Sequence, residues 1–206
     1  LARFTQEQAQ IIRTFLKEHE DCFPKEGEIG FSDTVQHGVT TTDDFPVSQP
    51  YRRIPPNQLL DVKAHLHQLL EQGVIKPSHS PYASPIVLAK KKDGTLRMCV
   101  DYRRLNAKTV RDSFPLPRIE ETLDSLKGAQ FFSTLDLASG YNQIAVDDKD
   151  KHKTAFITPF GLFQYERLPF GLSGAPATFQ RFMQRLFSEK LFEILIIYLD
   201  DLLVFS

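Results

Sequence analysis

The chain has 206 residues, of which 41% are hydrophobic and 25% are charged, and this length allows one good core or two small subdomains of a globular protein. The net charge of −1 argues against a uniformly basic nucleic-acid-binding protein. However, nine Lys or Arg against three Asp in residues 86–118 predict a local basic patch.

In the N-terminal part, the sequence predicts two helices separated by a linker. Thr5, followed by Gln8, is a capping-box pattern, and the apolar spacing that follows predicts a short amphipathic helix. Residues 24–50 are polar and lack clear periodicity, which predicts an extended linker or arm. A second helix is predicted from near Pro56 to Gly73, because Gly is favoured just after a helix C-terminus.

The rest of the chain predicts a mixture of strands and helices. Residues 84–92 and 95–103 are the arms of a predicted hairpin around the Asp93-Gly94 turn. The apolar run 194–199 predicts a strand at the centre of a sheet, and its partner, which begins at residue 202, is expected to fall short of full pairing. Between these segments, helices are predicted at 119–128 and 177–191, and strands at 131–136, 143–146, 154–158 and 163–168.

The cysteines and the apolar runs bear on cellular location. Cys22 and Cys99 lie far apart in unlike contexts, which predicts two reduced thiols in an intracellular protein. No signal peptide is visible, and the longest uninterrupted apolar run is far too short to span a bilayer. Since the sequence starts without Met and stops in a strand-like run, we expect it to be a piece of a longer polypeptide.

Three aspartates follow the apolar runs near the C-terminus. Asp136 ends the run 131–135, and Asp200 and Asp201 end the run 194–199. Strands that carry carboxylates to one edge of a sheet make a site for a hard cation, and carboxylates held this closely repel one another unless a metal is bound. On its own, an Asp-Asp pair is more often a polar turn or a helix cap.

Four sequence segments carry a more specific signal. They are KKKDGTLR (90–97), STLDLASGYNQ (133–143), LPFGLSGAPATFQ (168–180) and YLDD (198–201). In this order and spacing they resemble the reverse transcriptases of gypsy-like LTR retrotransposons (metaviruses), and more distantly those of retroviruses, over roughly residues 45–206. The resemblance implies an α+β, right-hand polymerase fold without its thumb. Its expected parts are an N-terminal helix and linker (1–48), fingers (49–111 and 145–174) and a palm with an antiparallel sheet and packed helices (112–144 and 175–206).

The resemblance also implies a metal site in the palm. Asp136, Asp200 and Asp201 would be the catalytic carboxylates. Asp136 and Asp200 would be the principal ligands of two Mg²⁺ ions, Asp201 the third carboxylate, and the Leu137 carbonyl a further ligand. Oxygen ligands of this kind suit Mg²⁺, for which Mn²⁺ could substitute, and the scattered histidines offer no site for a softer metal.

The resemblance places seven residues next to the triphosphate and the sugar of an incoming dNTP. They are Lys91, Arg97, Ser139, Gly140, Tyr141, Phe170 and Gly171. Ser139 and Gly140 would offer backbone N–H groups to the triphosphate, and Tyr141 would exclude a ribose 2′-hydroxyl. A solvated hairpin tip is the alternative for Lys91 and Arg97, and a half-buried core position is the alternative for Tyr141. Retroviral enzymes carry Gln where this chain has Phe170.

The resemblance predicts template–primer contacts for a further set, in which Phe179 could equally be a core residue. The set is Tyr102, Arg103, Pro176, Phe179, Gln180 and Tyr198. The expected function is DNA synthesis on an RNA or DNA template, by two-metal nucleotidyl transfer from a dNTP to a primer 3′-hydroxyl. The expected partners are template–primer, dNTPs and the downstream thumb, ribonuclease H and integrase of one Pol polyprotein, with no membrane, in the cytoplasm and in virus-like particles.

Two other functions stay open at this stage. One is a non-catalytic remnant or domesticated fragment that binds nucleic acid or a protein partner, and the other is a different two-metal phosphotransferase. The second is disfavoured because the fingertip and sugar-gate motifs would then be coincidences. Without the thumb, the 206-residue chain is expected to be weakly active or inactive.

Overall fold

The computed structural model describes residues 4–25, 27–90, 96–115, 117–198 and 201–206, except for the side chains of Lys90 and Ile119. The α-helices in these residues are α1 (Gln6–Glu18), α2 (Leu59–Glu71), α3 (Arg103–Lys108), α4 (Ile119–Ser125) and α5 (Ala175–Phe187). The strands are β1 (Ser32–His37), β2 (Ile75–Pro77), β3 (Ser84–Lys90), β4 (Leu96–Val100), β5 (Phe132–Asp136), β6 (Ile144–Val146), β7 (Phe156–Thr158), β8 (Gly161–Tyr165), β9 (Leu195–Tyr198) and β10 (Asp201–Phe205).

The strands form three groups. A five-stranded sheet has the order β2-β8-β7-β3-β4 and is antiparallel except where β3 pairs with β7. A three-stranded antiparallel sheet has the order β5-β10-β9, and β1 pairs in parallel with β6. Helices and mostly antiparallel sheets occur together in the chain, which confirms the predicted α+β class.

Two hydrophobic clusters correspond to the two larger sheets. The first contains the buried face of α5, where Phe179, Phe182 and Met183 recur at helical spacing and pack with β9 and β10. The second lies between α2 and the five-stranded sheet and includes Leu66 and Phe156. Burial of large side chains of this kind contributes about 1.5–3 kcal/mol each, so these clusters hold the helices onto the sheets.

The predicted linker is wrong in its second half, because residues 32–48 belong to the folded core. This segment, which we term the strap, contains β1 and the buried residues Val35, Val39 and Val47. The backbone N–H of Val39 donates to Asp150 Oδ2 at 2.9 Å, and Lys153 Nζ donates to the Val39 carbonyl at 2.6 Å. Most of its polar residues are exposed, with the exception of the buried His37, which is why the sequence showed no clear periodicity.

The second arm of the predicted hairpin is shorter than expected. β4 ends at Val100, and α3 begins at Arg103 where the sequence predicted a strand. Tyr102 at the helix start is buried, and its hydroxyl donates to the Thr154 carbonyl at 2.7 Å, so tertiary packing turns the chain here. The Asp93-Gly94 turn lies outside the described residues.

The C-terminal hairpin is also arranged differently from the prediction. β10, rather than the apolar strand β9, occupies the centre of its sheet. It pairs with β9 from Asp201 to Val204 and with β5 from Asp201 to Phe205, so the hairpin is not short of pairing. β9 is nevertheless largely buried, because other core elements cover it.

Candidate active site

Two of the three predicted carboxylates lie opposite each other. Asp201 at the start of β10 is in direct register with Asp136 at the end of β5. Directly opposed residues of antiparallel strands have Cβ atoms about 4.5–5.5 Å apart, so both side chains lie at one end of the sheet. Both are exposed, and neither forms an ion pair with any described residue. Two neighbouring carboxylates without a compensating cation fit a divalent metal.

The third carboxylate, Asp200, lies outside the described residues, as does Lys91. Among the side chains that the structure does describe, no three His, Cys, Asp or Glu are close enough to hold a metal ion. The Leu137 carbonyl accepts a hydrogen bond from Gly140 N at 3.2 Å, which leaves a second lone pair on that oxygen. The three-carboxylate site therefore remains a prediction that Asp136 and Asp201 support.

The turn after β5 is tightly packed. Ser139 has a left-handed backbone conformation with φ of 50°, and Gly140 packs against the ring of Phe179. A Cβ on Gly140 would lie 3.1 Å from Phe179 Cζ, a tighter contact than most side chains make, so glycine suits this close approach. The expectation that the Gly140 N–H is free for a triphosphate is not met, since it donates to Leu137 O inside the turn.

Three predicted nucleotide-binding side chains are in contact. The ring centroids of Tyr141 and Phe170 are 4.7 Å apart in an edge-to-face arrangement, and the guanidinium carbon of Arg97 is 5.4 Å from the Phe170 centroid. Phe170 is 44% exposed, whereas Tyr141 is 6% exposed and also packs on Phe179. The Phe170 ring is thus partly exposed to solvent, whereas the neighbouring Tyr141 is buried. The burial of Tyr141 also matches its alternative interpretation as a core residue.

A cavity of about 1030 Å³ adjoins this cluster. Its lining includes Arg97, Ser139, Phe170 and Gly171, together with part of α2 and residues 24, 25 and 27–29. Ligand pockets in proteins are typically about 300–1,000 Å³, so the cavity is large enough for a nucleotide. Four of the predicted dNTP-binding residues therefore share one cavity, and Tyr141 is not on its surface.

Three of the predicted template–primer residues are wrong as surface contacts. Tyr102 is 1% exposed, and Phe179 and Gln180 are both fully buried. Phe179 is a core residue, which was the alternative, and Tyr102 is anchored by its hydroxyl to Thr154. Neither amide atom of Gln180 has a hydrogen-bond partner within the described part of the chain. The apolar stripe of α5 is wider than the sequence suggested.

The other three template–primer candidates reach the surface to different degrees. Arg103 and Tyr198 are exposed, and Pro176 is half-buried at the start of α5. Arg103 donates two hydrogen bonds to Asp101, from Nε and Nη2, each at 2.8 Å. These bonds, opposed by burial, lower the pKa of Asp101 to about 2, and Arg52 also pairs with this carboxylate. A basic surface held by a buried carboxylate is suited to phosphate contacts.

Two buried or half-buried polar residues near the site were missed. His37 in β1 is buried, with its Nδ1 2.8 Å from Thr178 Oγ1 of α5, and burial lowers its pKa to about 4. Asn106 in α3 bonds the backbone of the segment that carries Phe170, as detailed below. Neither residue stands in a recognisable motif, and only the folded contacts identify them.

An antiparallel three-stranded sheet that presents opposed aspartates, beside a second sheet and a nucleotide-sized cavity, is the arrangement of the palm and fingers of a template-directed polymerase. More specifically, the chain belongs to a family described as "Reverse transcriptase (RNA-dependent DNA polymerase)", whose model matches residues 89–206. This confirms the family that the four motifs indicated.

The most similar relatives include polyproteins of transposons. The chain is 37% identical over its whole length to the retrovirus-related Pol polyprotein from transposon 297 of Drosophila melanogaster. It is 39% identical over 96% of its length to that from transposon opus of the same species, and 39% identical over 74% to the Tf2-3 polyprotein of Schizosaccharomyces pombe. The chain spans 20% of the length of each of the first two relatives.

Solved structures with the same fold include foamy virus enzymes. The foamy viral protease-reverse transcriptase in complex with an RNA/DNA hybrid has a TM-score of 0.88 and 23% identity, and the match covers 99% of this chain and 27% of that one. The native prototype foamy virus protein has a TM-score of 0.85 and 24% identity. At these identities the likeness establishes the fold, and it confirms the predicted fingers and palm architecture. No helix within the described residues is long and apolar enough to cross a membrane.

Proposed function

We propose that this chain forms the fingers and palm of an RNA-directed and DNA-directed DNA polymerase within a retrotransposon Pol polyprotein. The register of Asp136 opposite Asp201, beside the cavity that contains Arg97 and Phe170, carries this proposal. The fingers would comprise residues 49–111 and 145–174, and the palm residues 112–144 and 175–206. Further parts of the same polyprotein, including a thumb, ribonuclease H and integrase, would be its partners inside the cell and in virus-like particles.

The carboxylate end of the palm sheet would hold two Mg²⁺ ions. Asp136, Asp200 and Asp201, with the Leu137 carbonyl, would be the ligands, and Mn²⁺ could substitute. Bound ions of this kind lower the pKa of an attacking hydroxyl and neutralise a leaving pyrophosphate. The contribution of the chain is to fix two carboxylates in register at a sheet end, which avoids reorganisation during the reaction.

The cavity would hold the incoming dNTP. Arg97 is exposed on the cavity wall and would pair with the triphosphate, together with Lys91. Phe170, with Gly171, would contact the sugar, and the buried Tyr141 would support Phe170 from behind and so restrict room for a 2′-hydroxyl. The backbone at Ser139 would lie at the same wall, whereas the Gly140 N–H is already bonded within its turn.

The template–primer would lie along the exposed basic surface of the fingers and the end of the palm sheet. Arg103 and Tyr198 are both exposed there, and Pro176 begins the neighbouring helix. Two of the structurally similar foamy virus enzymes were solved in complex with an RNA/DNA hybrid and with double-stranded DNA. That supports both RNA and DNA as templates for this chain.

The proposal is tested by Asp136→Asn in the whole parent polypeptide that contains this chain. Primer extension on poly(rA)·oligo(dT) with Mg²⁺ should fall by at least ~10²-fold, because the change removes a charge that stabilises the transition state. Asp124→Asn is the matched control, since Asp124 is an exposed carboxylate on α4 that pairs with Lys127. Unchanged extension by Asp136→Asn would contradict the site, and nucleic-acid binding without any extension by the wild type would favour the non-catalytic remnant.

A further inference from the structure

The connection between β8 and α5 carries the residue that faces the cavity. Phe170 is 44% exposed there, against Tyr141 on one side and Arg97 on the other. Gly171 follows with φ of +94°, a conformation that side chains with a Cβ rarely adopt. The place of the Phe170 ring therefore depends on how the backbone of residues 171–173 is held.

Asn106 holds that backbone on both sides of residue 172. Its Nδ2 donates to the Gly171 carbonyl at 2.8 Å, and its Oδ1 accepts from the Ser173 N–H at 2.9 Å. One planar amide thus satisfies a donor and an acceptor of the same turn, which fixes the orientation of the turn as well as its distance. Asn106 itself does not line the cavity.

We term Asn106 with its two hydrogen bonds to the turn the clamp. The helix α3, which carries Asn106, is held in place by its own contacts. The N–H of Asn106 donates to the Tyr102 carbonyl at 2.7 Å, and Tyr102 is buried with its hydroxyl bonded to Thr154. The neighbouring Leu105 is fully buried, so α3 is anchored by its own core contacts. A Cβ on Gly171 would lie 3.7 Å from Tyr102 Cδ2, which shows that the turn rests directly on this ring.

We propose that Asn106 is a positioning residue that sets the discrimination between deoxyribo- and ribonucleotides by fixing Phe170 against Tyr141. The inference rests on the proposed function, because it takes the Phe170 cavity as the nucleotide site. Asn106 acts through the backbone of the turn and does not touch the nucleotide. When the clamp is lost, the Phe170 ring gains freedom, and the wall in front of Tyr141 no longer has one defined position for the sugar.

The test compares kcat/KM for dGTP and GTP on a poly(rC) template, using the whole parent polypeptide. Asn106→Ala should lower the dGTP/GTP ratio about tenfold, or about 1.4 kcal/mol, which is within the net contribution of the two hydrogen bonds that it removes. It should act mainly through a higher KM for dGTP, with kcat little changed. Because both substrates are measured on one preparation, the ratio does not depend on the folded fraction. Asn106→Asp keeps the acceptor for the Ser173 N–H but turns a carboxylate oxygen towards the Gly171 carbonyl, so it should also lower the ratio.

Thr109→Val is the matched control, because it removes a side-chain bond of the same helix, from Thr109 Oγ1 to the Leu105 carbonyl at 2.9 Å, without touching the turn. Its ratio should equal that of the wild type. In the Phe170→Ala background, Asn106→Ala should have no further effect on the ratio, since coupled residues give non-additive changes.

An unchanged ratio in Asn106→Ala, or an equal fall with and without Phe170, would overturn the inference. Both results are informative only if the measured primer extension depends on Asp136, that is, if Asp136→Asn abolishes it. Absence of that dependence would instead refute the proposed polymerase function, and the assignment of Asn106 with it.

Discussion

Replacing His37 by Gln should remove a pH-dependent part of the stability of this chain. The His37 ring is buried between β1 and α5, with Nδ1 2.8 Å from Thr178 Oγ1. Burial lowers its pKa to about 4, while Asp150 and Asp112 act in the opposite direction and Arg181 adds to the lowering. The folded chain therefore keeps His37 neutral at pH values where an unfolded chain protonates it.

The sign and size of the effect follow from this difference in pKa. An exposed histidine has a pKa of about 6.5, so the stability that depends on neutral His37 is fully present above that value. As the pH falls from 6.5 towards 4, the unfolded state gains a proton that the folded state does not, and the stability is lost. At pH 5 the difference of about 1.5 pH units corresponds to a loss of about 2 kcal/mol.

Urea unfolding of the 206-residue chain at several pH values between 7.5 and 5 measures this loss. The wild type should lose about 2 kcal/mol of unfolding free energy over that range beyond any loss seen in His37→Gln. Thr178→Val is the control, because it removes the hydroxyl partner and leaves the imidazole. It should lower stability by about 1 kcal/mol at each pH and keep the pH dependence. Equal pH dependence in the wild type and His37→Gln would refute the assignment of this effect to His37.

Three further results are expected. Gly140→Ala should destabilise the chain by about 1–3 kcal/mol in urea unfolding, because its Cβ would lie 3.1 Å from Phe179 Cζ and 3.2 Å from Leu137 Cβ; a neutral change would contradict this packing. Tyr141→Ala should admit ribonucleotides, seen as a lower ratio of kcat/KM for deoxy- over ribonucleotides, and an unchanged ratio would leave Tyr141 as a core residue only. Nucleic-acid binding by the 206-residue chain, measured by fluorescence anisotropy, should be independent of sequence and weaken about 10²-fold from 50 to 200 mM salt if four phosphates are contacted; salt-independent binding would argue against the basic fingers surface around Arg103.

The elements that were predictable are those with a strong local signal. The capping box of Thr5 and Gln8 is present at the start of α1, and the apolar spacing predicted α5, although the helix ends at Phe187 and not at residue 191. β1 was missed, because only Val35 and His37 of its six residues are buried and the remainder are polar or exposed. α3 was missed because burial of Tyr102, a tertiary effect, ends the preceding strand.

The site residues also divide into those that sequence motifs predicted and those that only tertiary contacts explain. The motifs predicted that Asp136 and Asp201 lie close together, and the pairing of β5 with β10 places them opposite each other. Burial of Gln180 could not be predicted, because a polar side chain on an amphipathic helix is expected to face solvent. Asn106 could not be identified either, because its two backbone partners lie 65 and 67 residues further along the chain.

The strap limits where this chain can be cleaved by a protease or joined to another protein. Beyond β1, its Thr40 carbonyl accepts a hydrogen bond from Val110 N, and its Thr42 N–H donates to the Lys108 carbonyl. A further backbone bridge joins Ser48 to Ala83. Residues 32–48 thus connect, through backbone hydrogen bonds, segments that are distant from one another in the sequence. We therefore expect that cleavage or module exchange within residues 32–48 disrupts these backbone bonds and destabilises the fold. A gene fusion that begins at the first motif, at residue 90, would leave β6 without its neighbouring strand β1.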